Sequence, residues 1–265
     1  YTATGSYTYV NGCATYHLNL TINATTIFNQ TVNALACYTW PVNGASYSIT
    51  GMYTYTTNNA ITGCSETYNL NLTVTPGVKL TAKVFLSGSY DTTTNLMYDT
   101  LRVRNLIPAT EPYTTSPYSK LFTANESASE TVSSAVLGVS GHDAIVDWVY
   151  LELRNSTTPS TILYTKRALV QRDGDIVSSD DGVSAVFFNN VPAGSYYVSV
   201  KHRNHLGVMS ASPITFASCA NAVADFIGGA VYVSSGITTS PRKLISTGVN
   251  ALWSADCNNN KNVKY

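Results

Sequence analysis

Charged side chains are scarce in this sequence. They make up 11% of its 265 residues, against about 25% in a typical soluble domain. Lys plus Arg and Asp plus Glu both number 15, so the formal net charge is zero. A neutral chain without a basic run lacks the electrostatic footprint of proteins that bind nucleic acid or acidic membranes. We therefore expect neither kind of partner.

Long apolar runs and catalytic motifs are also missing. No stretch approaches the roughly 18 consecutive apolar residues of a membrane-spanning helix, so we expect no membrane span. The sequence contains no G-x-S-x-G, H-E-x-x-H or G-x-x-x-x-G-K-[ST] pattern. These are signatures of serine hydrolases, zinc proteases and nucleotide-binding loops. We therefore expect that the protein is not an enzyme.

Tyrosine, threonine, serine and asparagine take the place of the missing charges. The sequence has 19 Tyr but only 7 Phe, and a tyrosine combines an apolar ring with a polar tip. Tyrosine and threonine both fit the half-buried surface of a β-sheet. The composition predicts an all-β protein, built of serial immunoglobulin-like β-sandwich domains and located outside the cell or on its surface.

A repeated pattern occupies the first 75 residues. Residues 7–22 read YTYVNGCATYHLNLTI, and residues 53–74 read YTYTTNNAITGCSETYNLNLTV. Apolar residues alternate with polar ones in both copies, as in a half-buried antiparallel strand. We predict that Leu18, Leu20 and Ile22 face a core.

Four segments follow from this pattern and from the turn signals after it. We predict the C-terminal half of a repeat over 1–24, a complete cysteine-paired repeat over 25–76, a larger β-sandwich over 77–218, and a C-terminal extension over 219–265. The first copy lacks the front half of the repeat. We expect either that the natural polypeptide continues upstream or that another molecule completes the half-unit.

The five cysteines are an odd number, so at least one has no partner within the chain. We predict one disulfide between Cys37 and Cys64 inside the complete repeat, and a second between Cys219 and Cys257. Cys13 is then unpaired or bonded to another molecule. Disulfides in small repeats are typical of an oxidising compartment.

Several blocks of the sequence carry a family resemblance. They include LMYDTLRVRNLIPATEPY, DAIVDWVYLELRN and VPAGSYYVSVKHRNHLGVMS, which resemble a module of large secreted surface proteins of the Bacteroidota. Such proteins are exported by the type IX secretion route. The repeat resembles the cysteine-paired repeats of the same adhesin-like proteins. The resemblance implies an adhesive or structural role at the cell surface and supplies no reaction.

Calcium is the one cofactor that the sequence suggests. Asp256, Asn258 and Asn260 alternate like positions 1, 3 and 5 of a calcium loop, and the resemblance implies a degenerate dockerin-like loop there. Asp173 and Asp175, in RDGDIVSSDDG, form the second candidate site.

Two further features bear on modification and on sugar binding. Thr92 and Thr100 each follow an aspartate, in DTT and DTL, and resemble O-glycosylation signals of the same phylum. Trp40 and Trp253 lie near turns and are candidate platforms for stacking a surface glycan, whereas Trp148 lies mid-strand and is expected in the core.

The histidine pair in HRNHLG is interpreted as structural. His202 and His205 are three residues apart, which places them on opposite faces of a single strand. We therefore expect hydrogen bonds that fix a loop rather than a shared metal ion.

The favoured function is that of an extracellular structural or adhesive protein. It would be a subunit or segment of a cell-surface filament or fibre, with other copies of itself as partners and assembly by β-strand complementation. The alternatives are a surface glycan-binding module and an accessory domain of a secreted enzyme.

Overall fold

The computed structural model describes residues 3–22, 25–120, 122 and 130–254. Strands dominate these residues, so the all-β prediction is confirmed, while immunoglobulin-like domains in series remain a prediction. The chain forms two compact units. The first comprises Tyr1–Ala34 and Tyr38–Val74, and the second comprises Leu35–Cys37 and Thr75–Tyr265. Nowhere in the described ranges is there a helix long and apolar enough to cross a membrane.

The first unit contains two separate hairpin-based sheets and one short strand pair. Strands β1 and β2 form a two-stranded sheet, strands β3, β7 and β6 form a three-stranded sheet in that order, and β4 pairs with β5. Their bounds are β1 Gly5–Asn11, β2 Ala14–Leu20, β3 Thr26–Leu35, β4 Tyr38–Thr39, β5 Ser46–Tyr47, β6 Gly51–Asn58 and β7 Ser65–Thr75.

The second unit carries the remaining strands and two single-turn helices. The bounds are β8 Gly77–Lys83, β9 Tyr90–Asp91, β10 Leu96–Met97, α1 Thr100–Val103, α2 Ser134–Leu137, β11 Ile145–Asn155, β12 Ile162–Gln171, β13 Asp175–Val177, β14 Val186–Asn189, β15 Gly194–His202, β16 His205–Met209, β17 Ile214–Phe216, β18 Asn221–Asp225, β19 Arg242–Ser246 and β20 Val249–Leu252. A 3₁₀ turn covers Tyr118–Lys120.

A nine-stranded sheet forms the body of the second unit. Its order is β14-β8-β13-β12-β11-β15-β16, with β17 beside β15 and β18 beside β8. The pairing of β18 with β8 is parallel, and the other pairings within this sheet are antiparallel. The hairpins β9–β10 and β19–β20 are separate.

Strand β11 at the centre of this sheet is buried on both faces. Val149, Leu151 and Leu153 point into the larger hydrophobic cluster, which we call the inner core. The alternate residues Trp148 and Tyr150 point into a second cluster, the outer core. The residues that cover the outer core come mainly from the segment before β11, namely Ile107, Tyr113, Phe122, Val132 and Val136.

The outer face of the sheet also holds a buried ion cluster. Arg167 is completely buried, and its Nε lies 2.6 Å from Glu130 Oε2 and 3.9 Å from Glu111 Oε2. Charges leave water at a high cost unless they are paired and hydrogen-bonded. The two glutamates therefore tie the covering segment to β12, which carries Arg167.

The predicted boundary at 218/219 is wrong. Strand β18 pairs with β8 over its full length, and Ala222, Ala224, Ala251 and Leu252 belong to the inner core. The C-terminal residues up to 254 are thus part of the same unit as the larger sandwich. Turn signals at residue 218 marked a loop between two strands of one sheet.

The predicted disulfide pairing is also wrong. The structure bonds Cys37 to Cys219, and Cys64 is free. Cys64 lies immediately before the first residue of β7. Cys37 lies near the last residue of β7, since the amide of its neighbour Ala36 donates to the carbonyl of Thr75 at 2.9 Å. A strand of 11 residues spans roughly 35 Å, and a disulfide tolerates a Cα separation of only about 7 Å.

The other two cysteines stand as follows. Cys13 is exposed and free, as predicted for an unpaired cysteine. Cys257 lies outside the described residues, and its predicted partner Cys219 is already bonded to Cys37. The disulfide closes a separation of 182 residues inside the second unit.

We predict that Cys37→Ser destabilises the second unit by about 3–5 kcal/mol, because a disulfide that closes a long loop restricts the unfolded chain most. Thermal unfolding of the oxidised protein measures this loss. Cys64→Ser is the matched control and should change stability by no more than about 0.5 kcal/mol. Peptide mapping without reduction should recover Cys37 joined to Cys219, and a Cys37–Cys64 peptide would contradict the assignment.

Candidate functional site

The two sequence copies adopt the same hairpin with the same register. In β1–β2, Tyr7 lies opposite Leu18 and Gly5 opposite Leu20. In β6–β7, Tyr53 lies opposite Leu70 and Gly51 opposite Leu72. The second turn is longer, but the glycine before each free cysteine has a left-handed φ in both, 64° at Gly12 and 69° at Gly63. The repetition in sequence is therefore a repetition in structure.

A tyrosine locks the start of each hairpin. The hydroxyl of Tyr7 donates to the carbonyl of Ala3 at 2.6 Å, and that of Tyr53 donates to the carbonyl of Ile49 at 2.7 Å. Such a tyrosine corner is a feature of β-sandwich folds. The hydroxyl of Tyr196 makes the same bond, to the residue four positions earlier, at 2.9 Å.

What differs between the copies is the cover over their apolar face. In the second copy, Leu70 and Leu72 are 0% exposed. Strand β3 extends the sheet beside β7, and the Trp40 side chain packs on the same face. This cover comes from the part of the repeat that precedes the hairpin.

The first copy has no such cover. Leu18 is 45% exposed and Ile22 is 44% exposed, and within the described residues β2 pairs with β1 alone. We call the side formed by Leu18, Leu20 and Ile22 the open face. The prediction that these residues face a core is thus wrong for this structure, because no strand other than β1 lies beside β2 within the described residues.

The tryptophans are distributed differently from the prediction. Trp40 is 1% exposed and donates its Nε1–H to Gln30 Oε1 at 3.2 Å, so it is a packing residue and no sugar platform. Trp148 is buried, as predicted. Trp253 is half-buried, with the Lys243 ammonium 5.9 Å from its ring centroid.

The predicted calcium ligands gain no support from the geometry. Asp175 Oδ1 lies 2.8 Å from the Lys83 ammonium, and Asp173 Oδ1 accepts the amide of Asp175. Within the described residues there is no group of three or more His, Cys, Asp or Glu placed to hold a metal ion. The other candidates, Asp256, Asn258 and Asn260, lie outside the described residues.

The two predicted glycosylation sites are accessible. Thr92 and Thr100 are both exposed, and Thr100 begins α1. Thr92 lies in a turn held by Asp91, whose carboxylate accepts from the amide of Thr93 and the hydroxyl of Thr94. Modification of either threonine stays a prediction.

The prediction that His202 and His205 lie on opposite faces of a single strand is wrong. Strand β15 ends at His202 and β16 begins at His205, so a two-residue turn makes them directly opposed across a hairpin. Their rings are 4.8 Å apart, and Nδ1 of one lies 3.0 Å from Nδ1 of the other. The signal in the sequence was Arg203-Asn204, a polar pair between two strand-like runs.

Asp147 anchors this cluster. Its Oδ2 lies 3.1 Å from His202 Nε2 and 2.6 Å from Arg203 Nη2, while Oδ1 accepts the amide of Trp148. Burial by itself would raise the pKa of Asp147, but the hydrogen bond from His202 and the charge of Arg203 outweigh it, so the pKa lies below its ordinary value. The carboxylate stays ionised and fully partnered.

One pair of tautomers satisfies all of these contacts together. Because Asp147 is an acceptor, His202 carries its proton on Nε2, and its bare Nδ1 accepts the amide of Asn204 at 3.4 Å. His205 must then carry its proton on Nδ1, which faces both His202 Nδ1 and the Asn204 side-chain oxygen at 2.8 Å. The remaining atom, His205 Nε2, is left with a free lone pair.

His205 is held neutral by its surroundings. It is 7% exposed, and burial lowers its pKa to about 3. It lines a cavity of about 370 Å³ together with Gly88 and Ser254. At neutral and mildly acidic pH the cavity therefore contains a buried hydrogen-bond acceptor.

We predict that the protein loses stability as the pH falls from about 6.5 toward 3. In this range His205 binds a proton in the unfolded state but not in the folded state, where its pKa is about 3. Acid therefore favours the unfolded state. The loss at pH 4.5 should be roughly 3 kcal/mol. Denaturant unfolding at several pH values measures it.

The variant His205→Asn should flatten this pH dependence, whereas the exposed His142→Asn should leave it unchanged. An equal slope in the wild type and in His205→Asn would show that His205 is not the group responsible.

No family model, no curated protein and no solved structure matches this chain. The function therefore has to follow from the geometry of the open face and of the histidine cavity.

Proposed function

We propose that the protein is a structural or adhesive building block of an extracellular filament or fibre, and that copies join by adding a strand to the β1–β2 hairpin. The open face carries this proposal. Support for an extracellular location comes from the Cys37–Cys219 disulfide, since disulfides persist mainly in oxidising compartments. The resemblance to secreted surface proteins of the Bacteroidota is in accord with such a role.

An uncovered two-stranded hairpin is an unfavourable arrangement. Isolated hairpins are marginally stable in water, and independent stability requires a third strand or a packing partner. The outer edge of β2 presents unpaired backbone groups beside an apolar row, which is the usual template for strand addition. Both the backbone and the side chains of the open face therefore favour the same kind of partner.

The second repeat supports a particular kind of partner. Strand β7, the equivalent of β2, is completed by β3 with the sequence TIFNQTVNAL and by the Trp40 side chain. The equal register of the two hairpins means that a strand with the alternating pattern of β3 fits β2 in the same way. Since β3 itself stays paired with its own β7, a different strand of the second copy has to fill this position. We therefore assign the occupant as a strand from a second copy of this chain.

We predict that the wild-type protein associates in a concentration-dependent manner and that Leu18→Asp weakens the association roughly 10- to 100-fold, because a leucine side chain contributes about 1.5–3 kcal/mol on burial. Sedimentation equilibrium measures the association constant, and electron microscopy shows whether fibres form.

Met52→Asp is the matched control. Met52 lies in β6, the first strand of the second hairpin, and its side chain is 82% exposed outside the open face, so this variant should associate like the wild type. A wild type that stays monomeric at all concentrations, or equal association by Leu18→Asp, would refute the proposed mode of assembly.

A further inference from the structure

A second feature of the molecule, independent of assembly, is the cavity at the β15–β16 hairpin. Its volume of about 370 Å³ lies within the range of about 300–1,000 Å³ of ligand pockets. Tyr98 lines it and is 54% exposed, so the cavity opens to solvent. All its lining residues belong to the second unit.

The cavity holds one polar atom without a partner. His205 Nε2 is buried and has no hydrogen-bond partner in the described part of the chain. It faces Gly88, because a Cβ placed on that glycine would lie 3.7 Å from this nitrogen. An unpaired buried acceptor is unfavourable, and a bound donor would offset this cost.

The surrounding chemistry selects the kind of ligand. Among the described lining residues the one carboxylate, Asp147, is already satisfied by His202, Arg203 and the Trp148 amide, so it leaves no free charge for an ionic ligand. Hydroxyl side chains dominate the remaining polar lining, with Ser89, Tyr98, Thr100 and Ser254. Leu86, Leu101 and Val146 supply apolar surface.

We propose that this cavity binds a neutral, hydroxyl-bearing ligand of about the size of a sugar residue, with His205 Nε2 accepting a hydrogen bond from a ligand hydroxyl. The hydroxyl side chains that line the cavity accept hydrogen bonds from the other polar groups of the ligand and donate hydrogen bonds to them. The Tyr98 ring offers an apolar face for stacking. The Asp147–His202–His205 chain acts as the positioning device, since it fixes the tautomer that leaves the lone pair free.

The test is an NMR titration of the ¹⁵N-labelled full chain with methyl glycosides of glucose, galactose, mannose and N-acetylglucosamine. Long-range ¹H–¹⁵N spectra report each histidine ring nitrogen. We expect the free protein to show His205 unprotonated at Nε2, and at least one glycoside at millimolar concentration to shift this resonance in a saturable manner. Unshifted His205 with all four glycosides would overturn the proposal.

A pair of variants at Gly88 makes the test specific. Gly88 has no left-handed φ, and an added Cβ meets its neighbours at ordinary contact distance, so Gly88→Ala is compatible with the fold, and the thermal unfolding of Gly88→Leu has to be compared with that of Gly88→Ala. Gly88→Leu fills the cavity and should weaken binding about tenfold or more, whereas the control Gly88→Ala leaves most of the space and should bind. Undiminished binding by Gly88→Leu would place the ligand elsewhere and overturn the proposal. These outcomes are independent of whether copies assemble through the open face.

Discussion

A two-stranded hairpin with one apolar face cannot cover that face by itself, and the organisation of the first unit follows from this constraint. In the complete repeat, β3 and the buried Trp40 cover the apolar face, so that Leu70 and Leu72 are 0% exposed. The first hairpin has the same strand register and the same tyrosine corner but a shorter turn, and within the described residues nothing comparable covers it. Its open face therefore corresponds to a face that is covered in the second repeat.

In the second unit, apolar faces on both sides of the sheet are covered. The inner core covers one face of β11, and the segment before β11 covers the other through the outer core and the buried Arg167–Glu130 pair. Burial on both faces also encloses the start of β11, where Asp147 and the two histidines meet. The depressed pKa of His205 follows from its burial, and its Nε2 has no partner among the described residues.

The sequence was informative wherever a local pattern decides the structure. Alternating residues and matched turn glycines predicted both hairpins, and the position of Trp148 in a strand predicted its burial. The errors concern tertiary relations. The disulfide depends on which ends of β7 the cysteines occupy, and the orientation of His202 and His205 depends on a turn between them.

The ion cluster was invisible for the same reason. Arg167 and Glu130 are far apart in sequence, and no local spacing signals that they meet in the outer core. The cover of the open face likewise depends on a partner strand, which no pattern within β1 or β2 supplies. Amide hydrogen exchange of β2 and β7, compared in dilute and in concentrated protein, tests this account most directly. The account predicts that β7 is protected in both samples and that β2 exchanges rapidly when dilute and becomes protected when concentrated; equally rapid exchange of β2 in both would contradict it.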